Sequence, residues 1–253
     1  VTALIRQATT AAISYSNADV RQEVRDRLVA ILATGLRDAK PGSDHQVAYA
    51  NGLAAAATTD AADLLKGWLS GEEVPEGLSI DQGMRWRLVT ALARVGRVGE
   101  DEIAAELQRD NTISGSEQAA GARAAMPTAQ AKQAAWQRAT TDDSVPNETY
   151  RQLVMQFIQP DQTEVLSPYV DPYLELCKAI DSHEGQWAKA GHAQVQNALM
   201  WLFPSTEVID AAWLNKLEGW VSDNDPGSTV RRVLAERADN ARRILRCQEA
   251  SRG

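Results

Sequence analysis

The amino-acid sequence predicts an all-α protein, a curved solenoid of antiparallel helix pairs resembling HEAT and armadillo arrays. Apolar residues recur at helical spacing throughout the chain, and the alternation typical of β-strands is nearly absent. Breaks at Pro and Gly leave roughly twelve helices, whose pairs repeat about every 35 to 45 residues. We therefore expect a single helical-repeat domain over residues 1–253. The alternative is a compact, irregular helical bundle.

Amphipathic stripes identify individual helices in order along the chain. In each of them, apolar residues fall on one helical face, and alanine, the strongest helix former, is common between them. The buried core is expected to form from these stripes, with Trp213 and Leu217 as its anchors. The stripes are Val20, Val24, Leu28, Ile31 and Leu32; Met84, Leu88, Ala91, Leu92 and Val95; Tyr150, Leu153, Val154, Phe157 and Ile158; Ile209, Trp213, Leu217 and Trp220; and Val230, Leu234, Ala241, Ile244 and Leu245.

Helix starts are predicted from capping boxes. In such a box a hydroxyl accepts a backbone N–H and a Gln or Glu three residues later returns to the cap. The longest non-helical segment, residues 70–78, is expected to be a loop inside the array. The capping boxes are Ser43-x-x-Gln46, Ser79-x-x-Gln82 and Ser114-x-x-Glu117.

Composition excludes several classes of partner. The chain is 44% apolar and 24% charged, which is a globular balance, and its net charge of -8 disfavours nucleic acid and anionic membranes. No apolar segment approaches the ~20 residues that span a bilayer. Two cysteines, Cys177 and Cys247, are too few for a disulfide framework and are expected to be small buried hydrophobes. A reducing, cytoplasmic location is expected from this.

Catalytic and metal-binding motifs are missing from the sequence. A zinc peptidase needs two His four residues apart on one helix, with Glu as the base. The segment from His183 and Glu184 begins in this way but reaches Trp187, whose indole cannot bind zinc. His45 and His192 have ordinary structural interpretations at or within helices. We therefore expect no catalytic residue, no metal and no enzymatic activity from this chain alone.

The middle third of the chain nevertheless resembles a known family. Residues 84–136 are similar to the C-terminal domain of aminopeptidase N enzymes from high-GC bacteria, which is related to that of the endoplasmic reticulum aminopeptidases. The tail agrees through Leu202-Phe203-Pro204 and a closing arginine-rich helix. The residues that carry the resemblance in the middle are Arg85-Trp86-Arg87, Leu107 to Asp110, Gly115, Arg123 and Ala124, Pro127-Thr128-Ala129, Lys132 and Trp136.

The resemblance implies a role in a zinc aminopeptidase. In that family the zinc ligands and the substrate-amine motif lie in an upstream thermolysin-like domain, and none of those motifs is present here. The helical domain closes over that catalytic domain of the same polypeptide and limits the access of peptide substrates. The implied parent is therefore a zinc metallo-aminopeptidase, and this chain is its non-catalytic C-terminal domain.

Two groups of arginines are candidates for binding. Arg85, Arg87 and Arg94 lie on one helix and are predicted to attract a peptide carboxylate, although buttressing between helix pairs is the alternative. The second group lies on the last helix, where interleaved acids and the helix dipole favour a solvated or salt-bridged face. It consists of Arg231, Arg232, Arg237, Arg242, Arg243 and Arg246.

Two other functions fit a catalytically silent helical array. A stand-alone HEAT-like scaffold would bind a protein partner through its concave face. A helical domain that binds a small molecule is a third, weaker interpretation. An HExxH domain in the same reading frame would distinguish the first interpretation from both.

Overall fold

The computed structural model describes residues 1–251, which form helices and connecting loops without a β-strand in that range. The prediction of an all-α protein is therefore confirmed. A short π-helical turn follows the first helix, and two 3₁₀ turns flank α11. The helices are α1 (Thr2–Thr10), α2 (Ala18–Asp38), α3 (Asp44–Ala56), α4 (Ala62–Ser70), α5 (Gln82–Arg94), α6 (Glu100–Arg109), α7 (Ile113–Ala125), α8 (Ala129–Thr141), α9 (Asn147–Met155), α10 (Thr163–Leu166), α11 (Val170–Asp181), α12 (His192–Trp201), α13 (Ala211–Asn224) and α14 (Ser228–Ala250).

One of the three predicted capping serines caps a helix. Ser43 Oγ accepts the backbone N–H of Gln46 at 3.3 Å and begins α3. The predictions for Ser79 and Ser114 are wrong, because other side chains lie nearer to the free N–H groups. Asp81 caps α5, accepting from Met84 N at 2.8 Å, and Thr112 caps α7 through Gly115 N at 2.9 Å. A carboxylate also suits the positive end of the helix dipole.

The N-terminal unit comprises residues 1–111 together with the chain from Cys247 onwards. Within it α2 packs on α3, α1 on α3, and α4 on α5. Asn17 caps α2 through its side-chain oxygen and donates from Nδ2 to Ser251 O at 2.8 Å, which fastens the end of the chain to the start of α2. The largest apolar side chains of its core are Leu32, Leu53, Leu65, Trp68, Trp86, Leu88, Leu92 and Ile103.

The C-terminal unit comprises residues 112–246. Here α7 packs closely on α9 and also on α8, and α9 packs on α12. Alanines cover the buried face of α7, so the neighbouring backbone can approach it. Trp213 and Leu217 are buried in this core, at 9% and 1% exposure, which confirms both predicted anchors. Tyr150, Leu153, Val154 and Phe157 from the predicted stripe are buried with them.

The sequence predictions for domain organisation, for the two cysteines and for Ile31 differ in their outcomes. The single-domain and solenoid predictions stay predictions. Cys177 is buried as expected, but the prediction for Cys247 is wrong, since it is exposed on the polar side of α14. Ile31 was assigned to the core stripe of α2 and is 65% exposed, because Leu28 and Leu32 occupy the buried face. In the described part of the chain, no helix combines the length and apolar character needed to cross a membrane.

Candidate functional sites

Arg85, the first of the predicted peptide-binding residues, is engaged within the N-terminal unit. Its Nε and Nη2 atoms donate to the two carboxylate oxygens of Glu106 at 2.7 and 2.6 Å. Its Nη1 donates to Leu69 O at 2.9 Å, near the end of α4. The adjacent Trp86 is buried and donates from Nε1 to Asp110 at 2.7 Å. These contacts join α5 to α4 and α6, as the buttressing alternative requires.

Arg94 makes a comparable contact at the end of α3. Its guanidinium donates to the carbonyl oxygens of Ala54, Ala55 and Ala57 at 2.9 to 3.1 Å. Buried Arg25 reaches the same turn and donates to Ala57 O at 3.3 Å. The last carbonyls of a helix lack partners within it and carry the negative end of its dipole. The two arginines therefore cap the C-terminus of α3.

Arg87 differs from Arg85 and Arg94 because it is exposed on α5. It falls between the buried positions Trp86 and Leu88 and faces away from the core. Of the three predicted binding residues, Arg87 is thus the one whose guanidinium faces solvent. The structure does not gather the three arginines around one common site, since Arg85 and Arg94 are directed to different helix ends.

Side chains cap helix C-termini in the C-terminal unit as well. Lys132 Nζ donates to Ala124 O at 2.7 Å, at the end of α7, and to Phe157 O at 2.6 Å, just beyond α9. The remaining contacts are Gln162 Nε2 to Ala125 O, Gln186 Nε2 to Ala139 O, and the Tyr173 hydroxyl to Leu199 O, at 2.6 to 2.9 Å. Capping of helix C-termini by side chains from other segments of the chain is therefore a repeated feature of this fold.

Lys132 is the least expected of these capping groups. Its side chain is fully buried, and its ammonium group lies 5.3 Å from the centroid of the Phe157 ring. Desolvation in this apolar setting lowers the pKa of Lys132 to about 7. Lys132 is among the residues that carry the family resemblance, but the resemblance implies no role for it. Its alanine-rich flanks gave the sequence no sign that an ammonium group would be buried there.

His183 and His192 border a shallow cleft. His183 follows α11 with φ +57, as a helix-end residue, and its Nδ1 is 3.0 Å from Asp181 O. His192 begins α12. Both border a cleft of about 280 Å³ over Trp187 and Val230. Within residues 1–251, no cluster of three or more His, Cys, Asp or Glu side chains is arranged to hold a metal ion.

Most of the arginines of α14 form ion pairs, which confirms the interpretation of a salt-bridged face. Their partners are acids on the same helix, on the loop before it or on α13. Nitrogen–oxygen distances lie between 2.5 and 3.0 Å. The pairs are Arg231–Asp225, Arg232–Glu236, Arg242–Glu218 and Arg243–Asp239.

Arg237 departs from this pattern because it lies on the apolar side of α14, beside buried Leu234 and Ala238. Its guanidinium carbon is 5.5 Å from the centroid of the Phe203 ring. Desolvation lowers the pKa of Arg237. The helical register with Val230, Val233 and Leu234 was visible in the sequence, but a charged residue was assigned to the surface face. Sequence reasoning therefore missed Arg237 as a distinct group.

An aromatic cluster surrounds this arginine. Phe203 packs edge-on against Tyr173 and Trp213, with ring centroids 5.5 and 5.8 Å apart. Burial raises the pKa of Tyr173. Burial likewise raises the pKa of the Cys177 thiol to about 12, so that thiol stays protonated and unreactive near neutral pH. The cluster thus supplies an apolar wall for a cation and no nucleophile.

The fold and its internally capped helix ends define the described residues as an all-helical domain. Comparison with protein families identifies the class to which it belongs. Residues 1–243 match the model of the ERAP1-like C-terminal domain, and the chain belongs to that family. The resemblance inferred from the sequence is confirmed.

A longer relative shares almost the whole chain. Aminopeptidase N from Streptomyces lividans is 37% identical over 251 residues, which cover 99% of this chain. The chain spans 28% of the length of that relative.

Proposed function

We propose that the chain is the non-catalytic C-terminal domain of an aminopeptidase N. In this proposal it encloses the substrate chamber and controls the access of peptides to a zinc site in an upstream domain of the same polypeptide. The observation that carries the proposal is the extent of the similarity. Nearly the whole chain aligns with a relative named aminopeptidase N, and the aligned residues make up 28% of the length of that relative.

The chemistry of the described residues supports this division of labour. No group of side chains among them is suited to zinc, so the zinc of the proposed enzyme belongs to another part of the polypeptide. Buried Cys177 is protonated at neutral pH, and His183 and His192 lie at helix ends beside an open cleft. In this proposal the chain shapes and encloses the substrate chamber and selects the peptides that enter it. Cleavage of the peptide bond takes place in the upstream domain.

Arg87 is the proposed contact for the substrate among Arg85, Arg87 and Arg94. Arg85 and Arg94 already donate to Glu106 and to backbone carbonyls, whereas the Arg87 side chain is exposed. An exposed guanidinium attracts a peptide carboxylate over a distance of about one Debye length. Arg85 and Arg94 would then act indirectly, by fixing α5, which carries Arg87.

The experiment compares long and short substrates of the full-length enzyme. A peptide of eight or more residues extends ~25 Å and can reach a second domain, whereas a single-residue chromogenic amide cannot. Arg87→Ala is expected to raise KM for the long peptide by about twofold to fivefold, as for loss of one exposed ion pair worth about 0.5–1 kcal/mol. The small amide should be hydrolysed as before. Arg109→Ala, which removes an exposed arginine of α6, is the matched control.

A second arm tests enclosure itself. The upstream part of the polypeptide is assayed alone and with this chain added as a separate protein. If the chain encloses the chamber, its addition changes the ratio of long-peptide to small-amide hydrolysis and the two parts elute together in gel filtration. Equal rates for both substrates with and without the chain, and separate elution, would contradict the proposal and favour a stand-alone scaffold.

A further inference from the structure

Burial of the Arg237 guanidinium costs free energy of desolvation, and the apolar neighbours of Arg237 on α14 do not offset that cost. A cation removed from water is costly unless a counter-charge or acceptors compensate it. Neighbouring arginines of α14 have carboxylate partners, but Arg237 forms no ion pair with any residue of the described range 1–251. Its Nε is buried and has no hydrogen-bond acceptor there.

A second donor beside the same aromatic ring is also without an acceptor. Trp213 is more than nine-tenths buried, and its indole Nε1 has no partner among the described residues. The Trp213 ring centroid lies 5.8 Å and the Arg237 guanidinium carbon 5.5 Å from the centroid of the Phe203 ring. Two buried donors thus border Phe203 without a hydrogen-bond acceptor among the described residues.

The Phe203 ring accounts for only part of the compensation. A cation over an aromatic face gains about 0.5 to 2 kcal/mol, less than a carboxylate partner supplies to a desolvated guanidinium. The ring also carries no oxygen or nitrogen atom that could accept a conventional hydrogen bond from Arg237 Nε or Trp213 Nε1. A group that carries both negative charge and planar acceptor oxygens would satisfy these requirements together.

We propose that Arg237, with Trp213 and the Phe203 ring, forms a binding site for a single carboxylate group. The planar guanidinium matches a carboxylate in a two-point contact. Among the cations that the structure describes, Arg237 is the one placed on the Phe203 ring, whereas Arg242 and Arg243 of the same helix are paired with Glu218 and Asp239. A doubly charged phosphate would remain half-neutralised beside these acids, so a monoanion is favoured.

Access to the site is by way of Arg237. Phe203 and Trp213 are buried, whereas Arg237 is partly exposed, so a carboxylate from solution meets the guanidinium first. The carboxylate has two possible sources, a free monocarboxylic acid or the C-terminus of a peptide. The site does not depend on the proposed aminopeptidase function, and its test uses this chain without any peptidase assay.

Trp213 provides a direct reporter of occupancy. The chain contains seven tryptophans, whose indole N–H signals are observed by nitrogen-15 NMR, and Trp213→Phe assigns the relevant signal. Propionate, N-acetyl-trialanine with a free carboxylate, and the same peptide as its amide are titrated at constant ionic strength. The Trp213 signal is expected to shift with a free carboxylate and not with the amide. A larger response to propionate indicates a free acid as the ligand, and a larger response to the peptide indicates a C-terminus.

Matched variants separate binding from structure. Arg237→Gln should weaken carboxylate binding by about tenfold or more, which corresponds to about 1.4 kcal/mol. Arg232→Gln removes a surface-paired arginine of the same helix and should bind as the unchanged chain does. Failure of the Trp213 signal to respond to either carboxylate at tens of millimolar in the unchanged chain would overturn the proposal, whatever the variants do. An equal shift in Arg237→Gln would overturn it as well.

Discussion

Arg85 and Glu106 face each other in a two-point ion pair, with Nε–Oε1 and Nη2–Oε2 distances of 2.7 and 2.6 Å. The two side chains are only 15% and 6% exposed, so the pair is shielded from solvent. It joins α5 to α6, and the further bond from Arg85 to Leu69 O joins α5 to α4. Arg85, one of the three arginines predicted to bind a peptide carboxylate, thus connects three helices within the N-terminal unit.

Removal of one partner of this pair should be strongly destabilising. Arg85→Met leaves the Glu106 carboxylate buried without its counter-charge, and the expected loss of unfolding free energy is about 3 kcal/mol. The double variant Arg85→Met with Glu106→Leu should recover most of that loss, since no buried charge remains. Urea denaturation measures both. If Arg85→Met costs no more than Arg109→Met at an exposed site, the pair is not a structural connector.

Two glycines near the loop between α4 and α5 should respond differently to the same substitution. Gly71 and Gly77 have φ of +87 and +80, so alanine is strained at either position. A Cβ at Gly71 would meet nothing within 4 Å, whereas at Gly77 it would lie 2.7 Å from the Pro41 carbonyl carbon and closer still to Gly42 N. Backbone cannot move aside as a flexible side chain can.

Gly71→Ala is therefore expected to cost about 1–2 kcal/mol, the penalty for a left-handed residue with a Cβ. Gly77→Ala should cost clearly more, because the loop must also shift away from residues 41 and 42. Urea midpoints of the two variants provide the comparison, with Gly71→Ala as the control for strain alone. Equal midpoints would show that the loop does not pack on Pro41 and Gly42 in solution.

Periodicity predicted the helices and the anchors, because burial of an apolar stripe depends on local spacing that the sequence displays. It failed where the decisive group came from a distant part of the chain. Lys132 is buried because the carbonyl ends of two other helices converge on it, and nothing in its own segment indicates them. The cap of α5 departs from the prediction for a local reason instead, since Asp81, two residues after Ser79, offers a stronger acceptor.

Arg237 shows a different limit of sequence reasoning. Its position coincides with the apolar stripe of α14, and that coincidence was available from the sequence. The charge of Arg237 predicts a surface position, whereas its helical register predicts a position at the core. Its contact with Phe203 arises from the aromatic cluster that the C-terminal unit assembles, and single-helix periodicity does not contain this information.

Trp213 should be among the most costly residues to truncate in the C-terminal unit. It is buried and packs edge-on against Phe203 at 5.8 Å. Trp213→Ala is expected to lower the unfolding free energy by ~3–5 kcal/mol, through lost transfer energy and the cavity that remains. Ile113→Ala removes apolar atoms at a position that is 82% exposed. This substitution should change the unfolding free energy by less than about 0.5 kcal/mol. Similar losses for both in chemical denaturation would exclude the anchor role.

Lys132 predicts a specific dependence of stability on pH. Its pKa falls from an ordinary 10.5 to about 7 in the folded chain, because burial disfavours the ammonium form. Between these values the unfolded chain binds more protons than the folded chain, so the free energy of unfolding rises as pH increases. Below pH 7 both states are protonated, and the full desolvation penalty is present. Above pH 10.5 both are neutral, and the penalty is gone.

The measurement is the difference in unfolding free energy between the unchanged chain and Lys132→Met, taken at several pH values. Methionine has no titratable group, and other titrating residues largely cancel in the difference. The unchanged chain should gain stability relative to the variant by up to about 1.4 kcal/mol per pH unit inside this window. Lys178→Met, at an exposed lysine paired with Glu175, is the control and should show almost no slope. A flat difference for Lys132→Met would mean that its ammonium group stays charged across the window. In that case the carbonyls of Ala124 and Phe157 compensate the buried charge fully, and Lys132 is a permanently charged cap.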